Sequence, residues 1–295
     1  MKLSVIIPAY NEEGCIQDTL NHLHQKLKQE GIPHELIVVN DNSMDQTKKI
    51  IQDLAYEIPN INYVFNPGPH GFGFAVRKGL DNFSGEVVTI YMADESDSPA
   101  DVVKYYKKIQ EGYDCVFGSR FIKGGKVVGY PFFKLVLNRI FNTLIRLLFN
   151  LRYNDTTNAF KMYRSSVIPG LKPFLSNHFN LTIELPLKCM IRGYKYAVLP
   201  NSWVNRKAGE SKLKVKEMGS RYLFIMLYCF IEKWLSRSDY TKETFKAATK
   251  MPLTPILIKP VKKELSYDSK DTDHRGGRVR GFQPSHSVEK KIPPT

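Results

Sequence analysis

Residues 89–99 read T-I-Y-M-A-D-E-S-D-S-P. An apolar run stops at three acids, Asp94, Glu95 and Asp97. Two readings compete. In one, a helix starts here: Ser98 or Asp97 caps it, Pro99 sits in its first turn, and the acids favour its dipole. In the other, the carboxylates close a buried strand because they serve a metal or a ligand. The choice depends on what ends the other strands.

LSVIIPA is a strand candidate, followed by Ile16, Leu20, Leu23 and Leu27 at helical spacing and closed by Gly31. ELIVVND reads as a second strand, with a helix carrying Ile50, Ile51 and Leu54 after it. INYVF is a third strand, and GFGFAVRKGLDNF a loop running into a helix. VVTIYM is a fourth strand, VVKYYKKI a helix and DCVFGS a fifth strand. Nearly all-apolar strands alternating with helices predict an α/β fold, a mostly parallel sheet covered on both faces. Ligands of such sheets bind beyond the carboxyl ends of the strands. Polar groups stand at those ends: Tyr10, Asn11 and Glu12 after the first strand, Asp41 after the second, the acids after the fourth, Ser119 and Arg120 after the fifth. The acids at 94–97 therefore belong to a rim of polar groups, which favours a site.

The chain has 295 residues and is 42% hydrophobic, enough for one large core. A net charge of +14 points to an anionic partner or to a solvated basic face. Cys15, Cys115, Cys189 and Cys229 show no C-x-x-C pairing, so neither zinc nor a disulfide framework is indicated and a reducing cytosol fits. MKLSVIIPAY is broken by Pro8 and reads as a first strand rather than a signal peptide. YPFFKLVLNRIFNTLIRLLFNL, and a second segment from about 215 to 235, are apolar around much of their circumference. Each is either a core helix or an interfacial one. The longest uncharged apolar run, residues 222–231, is far short of the ~20 needed to span a bilayer, so no transmembrane helix is expected. Residues 1–240 are expected to form the folded domain and residues 241–295 a mostly disordered tail.

The motifs SVIIPAYNEE, IVVNDNSMDQT, GFGFAVRKGL, MADESDSP, GSRFIKGG, NDTTNAFKMYR and NRKAGESKLK follow one another in order. In these the chain resembles family-2 glycosyltransferases of the GT-A fold, in the branch of polyprenyl-phosphate glycosyltransferases that includes dolichol-phosphate mannose synthases. The resemblance spans roughly residues 2–240. It implies an inverting transfer of a sugar from a nucleotide-diphosphate donor to a polyprenyl phosphate, in cell-surface glycan synthesis. It places Pro8, Tyr10, Glu12, Asp41, Gly71, Arg206 and Lys212 on the donor side. It places Lys134, Asn138, Thr157 and Ser211 on the acceptor side, with Asp155, Thr156 and Asn158 flooring it. Asp94, Asp97 and Arg120 are the implied catalytic groups, and Asp94 the implied ligand of Mg²⁺ or Mn²⁺.

One departure stands out. The family pattern D-x-D is here Met92-Ala93-Asp94, and a thioether is a poor ligand for a hard cation. Asp94 with the donor diphosphate could still hold an ion, and Glu95 or Asp97 could add a carboxylate. Glu184 is open between contact with sugar hydroxyls and a buried pair. The expected partners are a nucleotide sugar, a polyprenyl phosphate and an anionic membrane surface, on whose cytoplasmic side the protein would sit peripherally. The alternatives are a non-catalytic nucleotide- or lipid-phosphate-binding protein and, from charge alone, a nucleic-acid binder. No nucleic-acid reading module is recognisable, so nucleic acid is not expected as a partner.

Overall fold

The computed structural model describes residues 1–205, 215–236 and 239–245. The first half alternates as expected: β1 (Leu3–Ala9), α1 (Ile16–Gln29), β2 (His34–Asn40), α2 (Thr47–Glu57), β3 (Ile61–Phe65), α3 (Phe72–Leu80), β4 (Val87–Ile90), α4 (Pro99–Gln110) and β5 (Cys115–Ser119). The second half is less regular: β6 (Lys126–Val128), α5 (Phe132–Phe149), β7 (Lys161–Arg164), α6 (Leu181–Ile191), β8 (Tyr196–Pro200), β9 (Ser202–Val204) and α7 (Val215–Leu235). The main sheet runs β3-β2-β1-β4-β7-β5-β8, and β6 pairs β9 in a small second sheet. Only β7 runs antiparallel to its neighbours in the main sheet, β4 and β5.

Side chains alternate across the sheet, and each face has its own helices. Leu3, Val5 and Ile7 of β1 pack with Leu20 and Leu23 of α1, Ile51 of α2 and Val102 of α4. Ile6 of the same strand faces the other way, with Val76 of α3 and Leu181 and Leu185 of α6. A further cluster joins Ile145 and Phe149 of α5, Ile183 and Leu187 of α6, and Ile225 and Cys229 of α7. All four cysteines are buried and reduced.

The strands beyond β5 escape the sequence because they are only three to five residues long, and β7 is charged as well. Lys161 and Arg164 frame β7 and hide its alternation. Both cations are satisfied by backbone carbonyls: Arg164 donates to those of Tyr113 at 2.9 Å and Ile109 at 2.8 Å. Strand β4 stops at Ile90, two residues before the expected end, although the Tyr91 amide still donates to Ile6 at 2.9 Å. Residues 242–245 form a helical turn, where the Lys242 amide donates to Arg192 and its ammonium meets Asp114 at 2.5 Å. From 246 onward, the expected disordered tail lies outside the described residues.

Helices α5 and α7 each carry a second apolar stripe that faces solvent. Phe133, Val136, Ile140, Leu144 and Leu147 recur every three or four residues on α5 and are exposed. Leu223, Leu227, Ile231 and Leu235 do the same on α7. Helical spacing of this kind normally faces a core. No described helix is long and apolar enough to cross a membrane.

A histidine pair closes the far edge of the α1 face. His34 Nδ1 donates to the Ile32 carbonyl at 2.7 Å, which leaves Nε2 to accept from His24 Nδ1 at 3.0 Å. Burial pushes both imidazoles below their ordinary value of 6.5, and the neighbouring His34 and Lys28 add to the effect at His24. Below pH 6.5 the unfolded chain therefore binds more protons than the folded one. Stability is full above that value and falls as pH drops through it, by up to about 1.4 kcal/mol per pH unit for buried His34. Urea midpoints at pH 7.5, 6.5 and 5.5 check this. His34→Gln should flatten the dependence, and equal slopes in the two proteins would show that the pair is not buried neutral.

Candidate active site

The carboxyl ends of β1, β2 and β4 turn sharply, and each turn uses a left-handed residue: Asn11 (φ 51°), Asn42 (φ 63°) and Glu95 (φ 57°). Asparagine tolerates that region, while a glutamate there costs about 1–2 kcal/mol. The loops after β1 and β2 are stitched together. Ser43 Oγ accepts from the Asn11 amide at 3.1 Å, and Thr47 Oγ1 from the Glu12 amide at 2.8 Å.

Asp41 is buried at this junction. Its Oδ1 accepts from Asn66 at 2.6 Å, and its Oδ2 accepts from the Gly71 amide at 2.9 Å and meets His70 Nδ1 at 2.7 Å. The Tyr10 ring lies 4.1 Å from that of His70. Pro8 is within β1, beside Val39. Gly71, expected on the donor side, and Gly73 are closely approached by residues 176–178. A Cβ on Gly73 would lie 2.5 Å from the Asn177 carbonyl carbon, and one on Gly71 2.7 Å from His178 Nδ1.

The left-handed turn at Glu95 decides which acids face the site. Glu95 is turned to His22, 3.1 Å away. Asp94 and Asp97 instead line a cavity of about 670 Å³ together with Met92. Helix α4 does start at Pro99, but Ser98 at its N-cap makes no side-chain cap bond. Asp97 Oδ2 is buried without a hydrogen-bond partner among the described residues. Burial, then the Asp94 charge, pushes the Asp97 carboxyl up to about 7 against the pull of Arg120. The loop is pinned from outside: the Val204 amide of β9 donates to the Ser96 carbonyl at 3.1 Å, and Tyr91 Oη donates to the Asp97 carbonyl at 2.5 Å.

Arg120 lines the same cavity, already paired. Its Nε and Nη2 hold the two oxygens of Asp155 at 2.8 and 2.7 Å, and both side chains are buried. Burial opposes the guanidinium charge, and Asp155 more than restores it. The loop carrying Asp155 is anchored by Lys161, which donates to the carbonyls of Thr156, Asn158 and Thr182. Burial pushes that ammonium down to about 7, and three acceptors match its three N–H bonds.

Lys134, Asn138 and Thr157 also line the cavity, so the structure gathers Asp94, Asp97, Arg120 and these three. Pro8, Tyr10, Glu12, Asp41 and Gly71 lie at or near the ends of β1 and β2 and do not line it. Arg206, Ser211 and Lys212 lie outside the described residues. Glu184 resolves as a buried pair: it accepts from the amides of Leu175 and Ser176 and meets Lys188 at 2.5 Å, all away from the cavity. Sequence reasoning passed over His70, Tyr222, Trp203 and Asn142. For Asn142 a signal existed: it stands four residues after Asn138 in the same helix, on the same face.

The residues fit a hard divalent cation. Two carboxylates share the cavity, one has an orphaned buried oxygen, and their mutual repulsion is what a cation would relieve. Among the described residues no group of three or more His, Cys, Asp or Glu forms a metal cage. Mg²⁺ needs fewer, since it keeps waters and takes phosphate oxygens.

The sheet order, the rim and the motifs define a nucleotide-sugar-binding type of α/β domain, and the comparisons agree. The profile of Glycosyl transferase family 2 matches residues 4–170, and the chain belongs to that family, with a GT-A fold. It is 31% identical over 220 residues to a dolichol-phosphate mannosyltransferase of Pyrococcus furiosus, covering 73% of this chain but only 60% of that relative. It is 29% identical to a polyprenol monophosphomannose synthase of Mycolicibacterium smegmatis, covering 71% and 80% respectively. A solved glucosyl-3-phosphoglycerate synthase of Mycobacterium tuberculosis, bound to Mn²⁺, UDP and phosphoglyceric acid, superposes with a TM-score of 0.61 at 18% identity, over 78% of each chain. The same enzyme with Mg²⁺ and UDP gives 0.57 at 20% identity, over 80% of this chain and 79% of that one.

Proposed function

We propose that the protein is an inverting glycosyltransferase that moves a sugar from a nucleotide-diphosphate donor to a polyprenyl phosphate. The observation that carries this reading is the double character of the cavity. Carboxylates, Lys134, Asn138 and Thr157 share it with Leu137, Ile140, Phe141 and Leu144. Ile140 and Leu144 are also part of the exposed stripe on α5, so the cavity opens onto an apolar surface. An acceptor with a charged head and a hydrocarbon tail fits both parts. The relatives named for dolichol and polyprenol phosphates support the choice.

In the proposed reaction an acceptor phosphate oxygen forms a bond to the anomeric carbon. The bond from that carbon to the donor phosphate breaks, and the diphosphate leaves with the electron pair. A phosphate oxygen is already anionic and needs little help from a base. Asp94 and Asp97 would hold Mg²⁺ or Mn²⁺, which would supply charge neutralisation on the leaving diphosphate. Arg120, fixed by Asp155, presents a permanent cation to the cavity, and Lys134 adds another. Tyr10, His70 and Asp41 form the wall proposed to face the nucleoside.

The test is transfer from a panel of radiolabelled nucleotide sugars to polyprenyl phosphate in vesicles, with 3-phosphoglycerate as a soluble competitor. Label in the lipid phase is expected. Label only in phosphoglycerate would overturn the lipid acceptor, and none in either, with bound donor intact, would favour a binding protein.

The exposed stripes with the +14 charge also motivate a surface proposal: peripheral attachment to an anionic membrane. The protein should float with anionic vesicles at low salt, and Phe133→Glu with Leu227→Glu should sink. Wild-type protein remaining at the bottom of the gradient would refute the attachment.

A further inference from the structure

Thr157 Oγ1 accepts from Asn138 Nδ2 at 2.8 Å and from Asn142 Nδ2 at 2.9 Å. A hydroxyl has two lone pairs and one proton. Both lone pairs are therefore occupied, and no described residue receives the proton. The orientation of the Asn142 amide is not arbitrary, because backbone groups fix both ends. Its Oδ1 accepts from the Thr157 amide at 3.2 Å, and its Nδ2 also lies 2.9 Å from the Asn138 carbonyl and 3.0 Å from Asn138 Oδ1, so with one proton shared between those two oxygens the other goes to Thr157. Asn142 is buried and does not line the cavity, whereas Thr157 does.

We propose that Asn142 is a positioning residue that makes Thr157 a fixed hydrogen-bond donor into the cavity, aimed at an anionic oxygen of a phosphate ester. The inference rests on the phosphate-acceptor reading above and gives it a polarity. A free threonine hydroxyl can rotate to serve a donor or an acceptor. Here it can only donate. A donor with no alternative is matched to an oxyanion, whose hydrogen bonds are shorter and stronger than neutral ones. Lys134 in the same cavity adds a positive charge on the same helix as Asn138 and Asn142. The arrangement disfavours any ligand that presents an N–H or a cation at Thr157, since that ligand would face a second donor.

The experiment is a double-mutant cycle read in acceptor KM, donor KM, kcat and melting temperature. Thr157→Val removes the donor, and Asn142→Asp replaces an amide by an acceptor-only carboxylate that takes the threonine proton for itself. Each should raise acceptor KM by about ten- to a hundredfold, the range for a hydrogen bond to a charged group, with donor KM unchanged. The double variant should be no worse than Thr157→Val alone, because Asn142 acts through a hydroxyl that is already gone. Thr157→Ser keeps the hydroxyl and should restore wild-type KM. Multiplying effects, or a donor KM that moves with acceptor KM, would overturn the positioning role. Should Asn142→Asp fail to fold, Asn138→Asp reverses the same hydroxyl from the other side and completes the cycle.

Two further probes separate this from the proposed reaction. Thermal shift with inorganic phosphate and with farnesyl phosphate reads anion binding without any transfer. A shift that Thr157→Val abolishes supports the donor even if no sugar is moved, while an equal shift in wild type and variant overturns it. A shift with farnesyl phosphate only assigns the site to a lipid head, and a shift with both assigns it to phosphate anions in general.

Discussion

Asp94→Asn is expected to lower turnover by at least on the order of a hundredfold while leaving the fold intact. The size follows from losing one preorganised electrostatic stabiliser of a leaving group. The retention of fold follows from Asp97. Its carboxyl is held up near 7 by burial and by the Asp94 charge, so removing that charge relieves a repulsion, while the asparagine Oδ1 can still accept from the Ser96 amide at 3.2 Å. The melting temperature without metal should hold or rise. Addition of Mn²⁺ with nucleotide diphosphate should raise it in the wild type and much less in the variant, because a ligand bound only by the folded state stabilises it by mass action. Near wild-type turnover in a folded Asp94→Asn protein would remove Asp94 from the proposed metal site.

The second large effect is on stability. Asp155→Asn takes from the buried Arg120 guanidinium its hydrogen-bonded counter-charge, and an amide N–H now opposes one of its donors. Breaking a buried pair on one side costs about 3–5 kcal/mol. For a domain of this size that is a fall in melting temperature on the order of 10 °C. Replacing both partners, Arg120→Met with Asp155→Leu, should recover part of the loss, since the buried charge is gone and only the Arg120 backbone amide, which donates to Asp155 at 3.0 Å, is left unpaired. Transfer should stay low in that double variant, because the cavity has lost its fixed cation. An Asp155→Asn protein that melts with the wild type would mean the pair is hydrated and contributes little.

The sequence announces the sheet through β5 because each strand there is an apolar run long enough to read. It is silent on β7, whose four residues include Lys161 and Arg164, both satisfied by backbone carbonyls outside the strand. The gathering of Asp94, Asp97 and Arg120 was legible for a topological reason: parallel strands end on one rim. Choosing between Glu95 and Asp97 needed a backbone angle, the left-handed turn that sends Glu95 to His22. Glu184 needed its partner, Lys188, one turn away and buried with it. The sequence places Asp155 in the acceptor floor, whereas in the structure it does not line the cavity and is the buried partner of Arg120, a pairing that spacing does not show. The spacing of Asn142 from Asn138 was legible, but its proposed role was not, because that role lies in which of its atoms points where.

Ile140 and Leu144 belong at once to the cavity wall and to the exposed stripe of α5. With the proposed lipid acceptor, the substrate reaches the carboxylates without crossing bulk water. The quantity that sets the rate is then its mole fraction in the two-dimensional film, not its amount per litre. Adding inert lipid at constant total acceptor should slow transfer, as each attached molecule searches a larger area for the same number of targets, while doubling vesicles and acceptor together should leave the rate per bound molecule unchanged.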